Sequence, residues 1–249
     1  MNGIIEPITA SMLVIGDEIL SGRTRDVNVG FVAENMTAIG IDLIEVRIVG
    51  DDQAAIVEAV NALRARTTYV FTSGGIGPTH DDITADAVSA AFGVPCEEHP
   101  EALEILAGAY AEREMELTAA RRRMARTPRG ATLIENRISH APGFRMENVH
   151  VMAGVPKIMQ AMLGAVIPTL RTGRKLVSRS LVCPHGEGIV GGPLAAVQQA
   201  HPDVAIGSYP QWNDGRFTTE IVVRGRDEAS VDKGLEAVAR MVRELPTLS

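Results

Sequence analysis

The sequence predicts an α/β domain built on a mostly parallel sheet covered on both faces, followed by a small α+β domain. Three observations carry this. Apolar runs of strand length alternate with segments of helical period through the first two thirds of the chain. The third of these runs enters the loop Ser73-Gly74-Gly75-Ile76-Gly77-Pro78. Beyond Arg171-Thr172-Gly173-Arg174 the order of elements changes, which divides the chain into residues 1–172 and 173–249.

The elements follow in order. Residues 8–15, ending in Met12-Leu13-Val14-Ile15, have the length and apolarity of a buried parallel strand. A loop with Asp17, Glu18, Gly22 and Asp26 follows. Asn28 is expected to cap a helix carrying Phe31, Val32, Met36 and Ile39, with Gly40 at its end. Residues 42–49 alternate as a second strand. Asp51 or Asp52 caps a helix with the stripe Ile56, Val57, Val60 and Leu63. Strand three is 68–72, and the next helix starts near Asp81 and runs to Gly93. Residues 98–126 read as long, charged and helix-prone, ending in the basic group Arg121, Arg122, Arg123 and Arg126. Strands at 131–135 and 148–152 flank a turn at Ala141-Pro142-Gly143-Phe144. Pro156 suits the first turn of a helix through Ile158, Met159, Met162 and Val166. The second part reads as strand 175–183, helix 189–200, strands 203–209 and 216–224 joined at Asn213-Asp214-Gly215, and helix 228–244.

Composition bounds the function. The chain has 249 residues, 45% hydrophobic and 22% charged, so it is neither disordered nor too short to bury a core. Two cysteines, Cys96 and Cys183, exclude a disulfide-built scaffold. A net charge of −7 argues against non-specific nucleic-acid binding, which draws its affinity from neutralising phosphates. No basic and apolar leader precedes the first strand, and no apolar run approaches the ~20 residues of a membrane helix. A cytoplasmic protein with reduced thiols and no membrane segment is expected.

The chemistry concentrates in Ser73-Gly74-Gly75-Ile76-Gly77-Pro78-Thr79-His80-Asp81-Asp82-Ile83-Thr84. Glycines let backbone N–H groups approach an anion, and a helix N-terminus adds partial positive charge. In open α/β sheets, ligands bind beyond the carboxyl ends of strands, where this loop lies. An ordinary turn does not need Ser, three Gly, Thr, His and two Asp together, so the run reads as a cradle for a phosphate or a pterin-like ring. Asp81 and Asp82 would repel a phosphate. Either a hard divalent ion, Mg²⁺, lies between, or one carboxylate caps the helix and the other faces solvent. Gly186-Glu187-Gly188-Ile189-Val190-Gly191 fits G-x-G-x-x-G, but the elements after it form a hairpin, so a dinucleotide site is not expected. P-loop, zincin, nucleophile-elbow and paired C-x-x-C motifs do not occur.

The glycine-and-aspartate run resembles the signature of the molybdopterin-binding (MoaB/Mog-like) domain family, in the version found at the N-terminus of CinA-type competence/damage-inducible proteins. Other blocks agree in order: Gly16-Asp17-Glu18-Ile19-Leu20-Ser21-Gly22, Asp26-Val27-Asn28, Ala141-Pro142-Gly143-Phe144, Gly154-Val155-Pro156 and Gly207-Ser208-Tyr209-Pro210. The resemblance implies a three-layer α/β/α domain that binds molybdopterin or a related phosphorylated nucleotide. It implies a ligand site of Gly16, Glu18, Asp26, Asn28, Ser73, Gly74, Gly75, Gly77, Thr79, Pro142, Gly143, Gly154 and Pro156. Asp81 and Asp82 become the catalytic and metal-binding pair, with Mg²⁺ as cofactor. Some relatives adenylylate molybdopterin, and CinA-type relatives are linked to pyrophosphate hydrolysis in ADP-ribose-like nucleotides. A homo-oligomer, dimer or trimer, is implied as well. The chain departs from the pattern at Met152-Ala153, where relatives carry Leu-Pro, and at Lys157 and Ile158, where an acidic residue follows G-V-P. Those departures motivate a non-catalytic sensor or scaffold as a third reading. The amidohydrolase activity of longer relatives is expected to be absent.

Overall fold

The computed structural model describes residues 7–213 and 216–246, and its contacts divide the chain into two compact units, Met1–Gly173 and Arg174–Ser249. The first unit begins with strand β1 (Thr9–Ile15), a single helical turn α1 (Asp17–Leu20), helix α2 (Asn28–Ala38) and strand β2 (Asp42–Val49). Helix α3 (Gln53–Arg64), strand β3 (Tyr69–Ser73) and helix α4 (Thr84–Phe92) follow. The order continues with β4 (Cys96–Glu98), α5 (Pro100–Ala111), α6 (Ala119–Arg122), β5 (Arg126–Pro128), β6 (Thr132–Ile134), β7 (Gly143–Met146), β8 (Val149–Met152) and α7 (Pro156–Val166).

Six strands form one sheet in the order β2-β1-β3-β8-β7-β6. The first three pairings are parallel, and β7 runs antiparallel to both of its neighbours. Because successive side chains alternate across a strand, β1 feeds two cores. Met12 and Val14 join Phe71, Met36, Met159 and Met162 beneath α2 and α7. Leu13 and Ile15 join Val70, Val151, Ile56, Val60 and Val88 beneath α3 and α4. The α/β reading therefore holds, with helices on both faces of a mostly parallel sheet.

Several local expectations are corrected. Asn28 is not a cap: it is the first residue of α2, and the Asp26 carboxylate accepts from Val29 N at 2.8 Å instead. Helix α4 starts at Thr84, not near Asp81, and no side chain caps it. The 98–126 stretch is broken after α5 because Glu114 takes a left-handed conformation (φ 53°), and Thr118 then caps α6. Gly143 and Phe144 lie in strand β7 rather than in a turn.

His150, in β8, is 2% exposed and packs its ring 5.4 Å from Phe71 and 5.8 Å from Tyr69, centroid to centroid. Burial lowers its pKa from 6.5 to about 4, and the Arg145 charge adds to that.

The second unit comprises β9 (Val177–Cys183), α8 (Glu187–Ala200), β10 (Ala205–Asn213), β11 (Arg216–Gly225) and α9 (Glu228–Glu244). Its sheet, ordered β10-β11-β9, is wholly antiparallel. Cys183, Ile221 and Val223 of the sheet pack with Val190, Leu194, Val231 and Val238 of the two helices. The expected turn at Asn213-Asp214-Gly215 falls in part on Asp214 and Gly215, which lie outside the described residues. The G-x-G-x-x-G run opens α8, which leads into an antiparallel pair, not the parallel strand of a dinucleotide fold. Among the described residues no helix is long and apolar enough to cross a membrane.

Candidate functional site

Strands β1, β3 and β8 are parallel neighbours, so the loops that follow them emerge at one edge of the sheet. The chain needs glycine at two positions there. Gly74 has φ 111°, and a Cβ would stand 2.1 Å from the carbonyl oxygen of Ile15 at the end of β1. Gly75 has φ 68°, and its Cβ would meet the Thr84 hydroxyl at the same distance. That close approach ties the loop down. Gly74 N donates to Met152 O at 3.1 Å, Thr84 N to Gly75 O, and Thr84 Oγ1 to Gly74 O at 3.0 Å. The backbone N–H groups of Gly75, Ile76 and Gly77 donate to no acceptor among the described residues.

Asn28 is the cross-tie between loops. Its Nδ2 donates to Ser73 Oγ and to Gly154 O, each at 2.8 Å, while its Oδ1 is buried without a partner. Asn28→Ala removes both bonds and strands two acceptors. We expect a loss of about 1–2 kcal/mol in urea denaturation, with weaker ligand binding. An unchanged midpoint would show that the tie carries nothing.

These loops wall a cleft of about 530 Å³. Its lining includes Glu18, Gly74, Gly75, Gly77, Asp82, Gly154 and Pro156, together with the apolar Ile76, Val155 and Ile158. An adjoining recess is lined by Asp26, Asn28 and Ser73. Another, lined by Pro142, Asp86 and Arg123, shares Gly75, Gly77 and Asp82 with the cleft. Gly16, Thr79 and Asp81 line none of these. Gly16 lies against the Glu18 carboxylate, and Thr79 donates its N–H and hydroxyl to Asp82 Oδ2 at 2.8 and 2.5 Å. Gly143 lies within the sheet, where a Cβ would collide with Val151 O.

Two carboxylates, Glu18 and Asp82, line the cleft, and Asp17, Asp51 and Asp81 lie near enough to interact electrostatically. The Asp51 carboxyl is pushed above its usual range by burial, against the pull of the Asp17 N–H, and the charges of Asp17, Glu18 and Asp81 add to the rise. Asp81 Oδ1 stands 3.9 Å from His80 Nδ1. Among the described residues no three His, Cys, Asp or Glu side chains converge as a ready cage for a metal ion.

Sequence reasoning missed the opposite wall. Asn136, Ser139, Ala141 and Met124 also line the cleft. Buried Asn136 accepts from Ile138 N and Ser139 N and donates to Ser139 Oγ and Ala141 O. Its signal was present as an Asn that binds the backbone two residues on. The arginine group does not pair with Glu112, Glu114 or Glu116 carboxylates. Arg121 binds Glu116 O and lies 4.6 Å from the Tyr110 ring centroid, Arg122 grips Glu98, Arg126 grips Asp86, and Arg123 donates to Asp82 O.

Comparison with known proteins agrees with this architecture. Residues 11–172 match the family described as "probable molybdopterin binding domain", and residues 175–247 match "FAD synthase, middle domain". A protein of Aeropyrum pernix is 32% identical over 95% of this chain and 94% of its own length. A CinA-like protein of a Cyanothece species is 29% identical over 96% of this chain, which spans 59% of that relative. The crystal structure of CinA, of unknown function, from Thermoplasma acidophilum is similar with a TM-score of 0.60 and 31% identity, over 65% of this chain and 96% of that one.

Proposed function

The chain belongs to the molybdopterin-binding domain family, and from that premise we propose that the cleft binds a phosphorylated pterin of molybdopterin type. One observation carries the reading: three successive N–H groups with no acceptor among the described residues, on Gly75, Ile76 and Gly77, border a cleft whose lining includes the apolar Ile76, Val155 and Ile158. Such a nest suits phosphate oxygens, and the surface of Ile76, Val155 and Ile158 suits the face of a flat ring. Mass spectrometry of small molecules carried through native purification tests it. A pterin phosphate is expected. A nucleotide recovered in its place, with no calorimetric response to molybdopterin, would overturn the reading.

A second reading, a divalent-metal-dependent pyrophosphatase acting on ADP-ribose-like nucleotides, is favoured by Asp82 standing in the cleft beside Gly77. Mg²⁺ usually takes one or two protein carboxylates and fills its shell with phosphate oxygens and water, so these residues fit it without a preformed cage. Asp81 and Asp82 would hold it, and it would supply charge neutralisation at the phosphates. Under this reading Asp82→Ala lowers turnover of ADP-ribose with Mg²⁺ by at least about 100-fold. The same change frees the Thr79 N–H and hydroxyl, so a melting curve must accompany the assay. Turnover equal to wild type removes Asp82 from the mechanism. The third reading, a sensor or scaffold, draws on Lys157 and Ile158, which stand where relatives carry an acidic residue, Ile158 within the cleft lining. Metal-stimulated turnover of any nucleotide would exclude it.

A further inference from the structure

We propose that Arg123 takes the anionic group of the bound ligand, closing the glycine cradle from the short 3₁₀ turn that follows α6. This deepens the phosphate-binding reading and rests on it. The four arginines of the segment divide their work unequally. Arg122 is committed to the Glu98 carboxylate and Arg126 to the Asp86 carboxylate, each through two hydrogen bonds. Arg121 is spent on the Glu116 carbonyl and the Tyr110 ring. Arg123 meets no carboxylate among the described residues. It reaches back 41 positions to the glycine loop, where Nη2 donates to Asp82 O at 3.3 Å, and its Nε is buried with no acceptor. Gly75, Gly77 and Asp82 line the same recess.

A half-buried guanidinium without a counter-ion is costly, and it becomes favourable when an anion arrives. The nest supplies N–H donors but no full positive charge, and the Asp82 carboxylate in the cleft opposes a phosphate. Arg123 supplies the missing charge, and its planar fork matches two phosphate oxygens at once. The ligand class is therefore a phosphate or pyrophosphate group, whatever ring it carries.

The test uses the full chain and inorganic pyrophosphate as probe, by isothermal titration. Wild type is expected to bind. Arg123→Gln is expected to bind at least tenfold more weakly, and Arg122→Gln, which leaves the cradle intact, within twofold of wild type. If Arg123→Gln lowers the melting temperature, Arg123→Lys decides. It keeps the charge but loses the fork, and a threefold or greater weakening is expected. Binding by either Arg123 variant equal to wild type overturns the role of Arg123 and leaves the phosphate site standing. Failure of wild type to bind overturns both.

Discussion

Gly74→Ala is expected to cost the first unit about 3 kcal/mol or more and to abolish ligand binding. A non-glycine residue held at φ 111° carries roughly 1–3 kcal/mol of strain on its own. The new Cβ would also stand 2.1 Å from Ile15 O. Ile15 is 2% exposed and sits in the core beneath α3 and α4, so β1 has no room to retreat. Relief must come from lifting the loop, which also breaks the Gly74 N–H bond to Met152 O. Urea denaturation of the variant reads the first cost, and titration with molybdopterin, the ligand proposed above, reads the second. Gly164→Ala is the control. Gly164 lies on the exposed face of the last turn of α7 with no atom near its missing Cβ, and alanine there should leave stability unchanged or raise it, by up to about 1 kcal/mol. If the two variants melt alike, the cradle is not built by close approach.

The second large effect is acid sensitivity through His150. Its folded pKa, about 4, lies below the ordinary 6.5, so folding favours the neutral ring. The resulting stability is complete above pH 6.5 and drains away as pH falls toward 4. A depression of that size corresponds to about 3 kcal/mol once the ring must be protonated. The neighbours make that loss hard to avoid. Tyr69 and Phe71 pack against the ring and offer no charge, and Arg145 is a like charge on the adjacent strand. Melting temperatures between pH 7 and pH 4.5 should therefore fall steeply for wild type. His150→Phe should flatten the curve, because it removes the titrating group, and a space of about 330 Å³ beside residue 150 gives the larger ring room. Parallel curves for the two proteins would assign acid sensitivity to other groups.

Much of the fold was legible because the strands are short and apolar and the helices carry clear stripes. Met12-Leu13-Val14-Ile15 belongs to one strand whichever core each side chain enters. Local rules failed where two residues compete for one task. Asp26 and Asn28 are both good caps. The nearer geometry gave Val29 N to Asp26 and freed Asn28 to bridge loops 45 and 126 positions away. Strand β7 was hidden because Pro142-Gly143 reads as a turn, while Gly143 is present for a different reason, its close packing on Val151 O. The glycine loop was visible as a motif. Arg123 was visible only as one of four similar residues, since nothing local separates the arginine at the cradle from those committed to Glu98 and Asp86.

The two walls of the cleft differ in what would have to break for a ligand to pass. One wall is made of strand ends locked by Gly74 and Asn28, and moving it means disturbing the sheet. The other hangs on Asn136, through hydrogen bonds that all stay within residues 136–141. Opening that short loop leaves the sheet untouched. The cleft therefore joins a wall braced by bonds between distant segments to a loop braced only by its own residues.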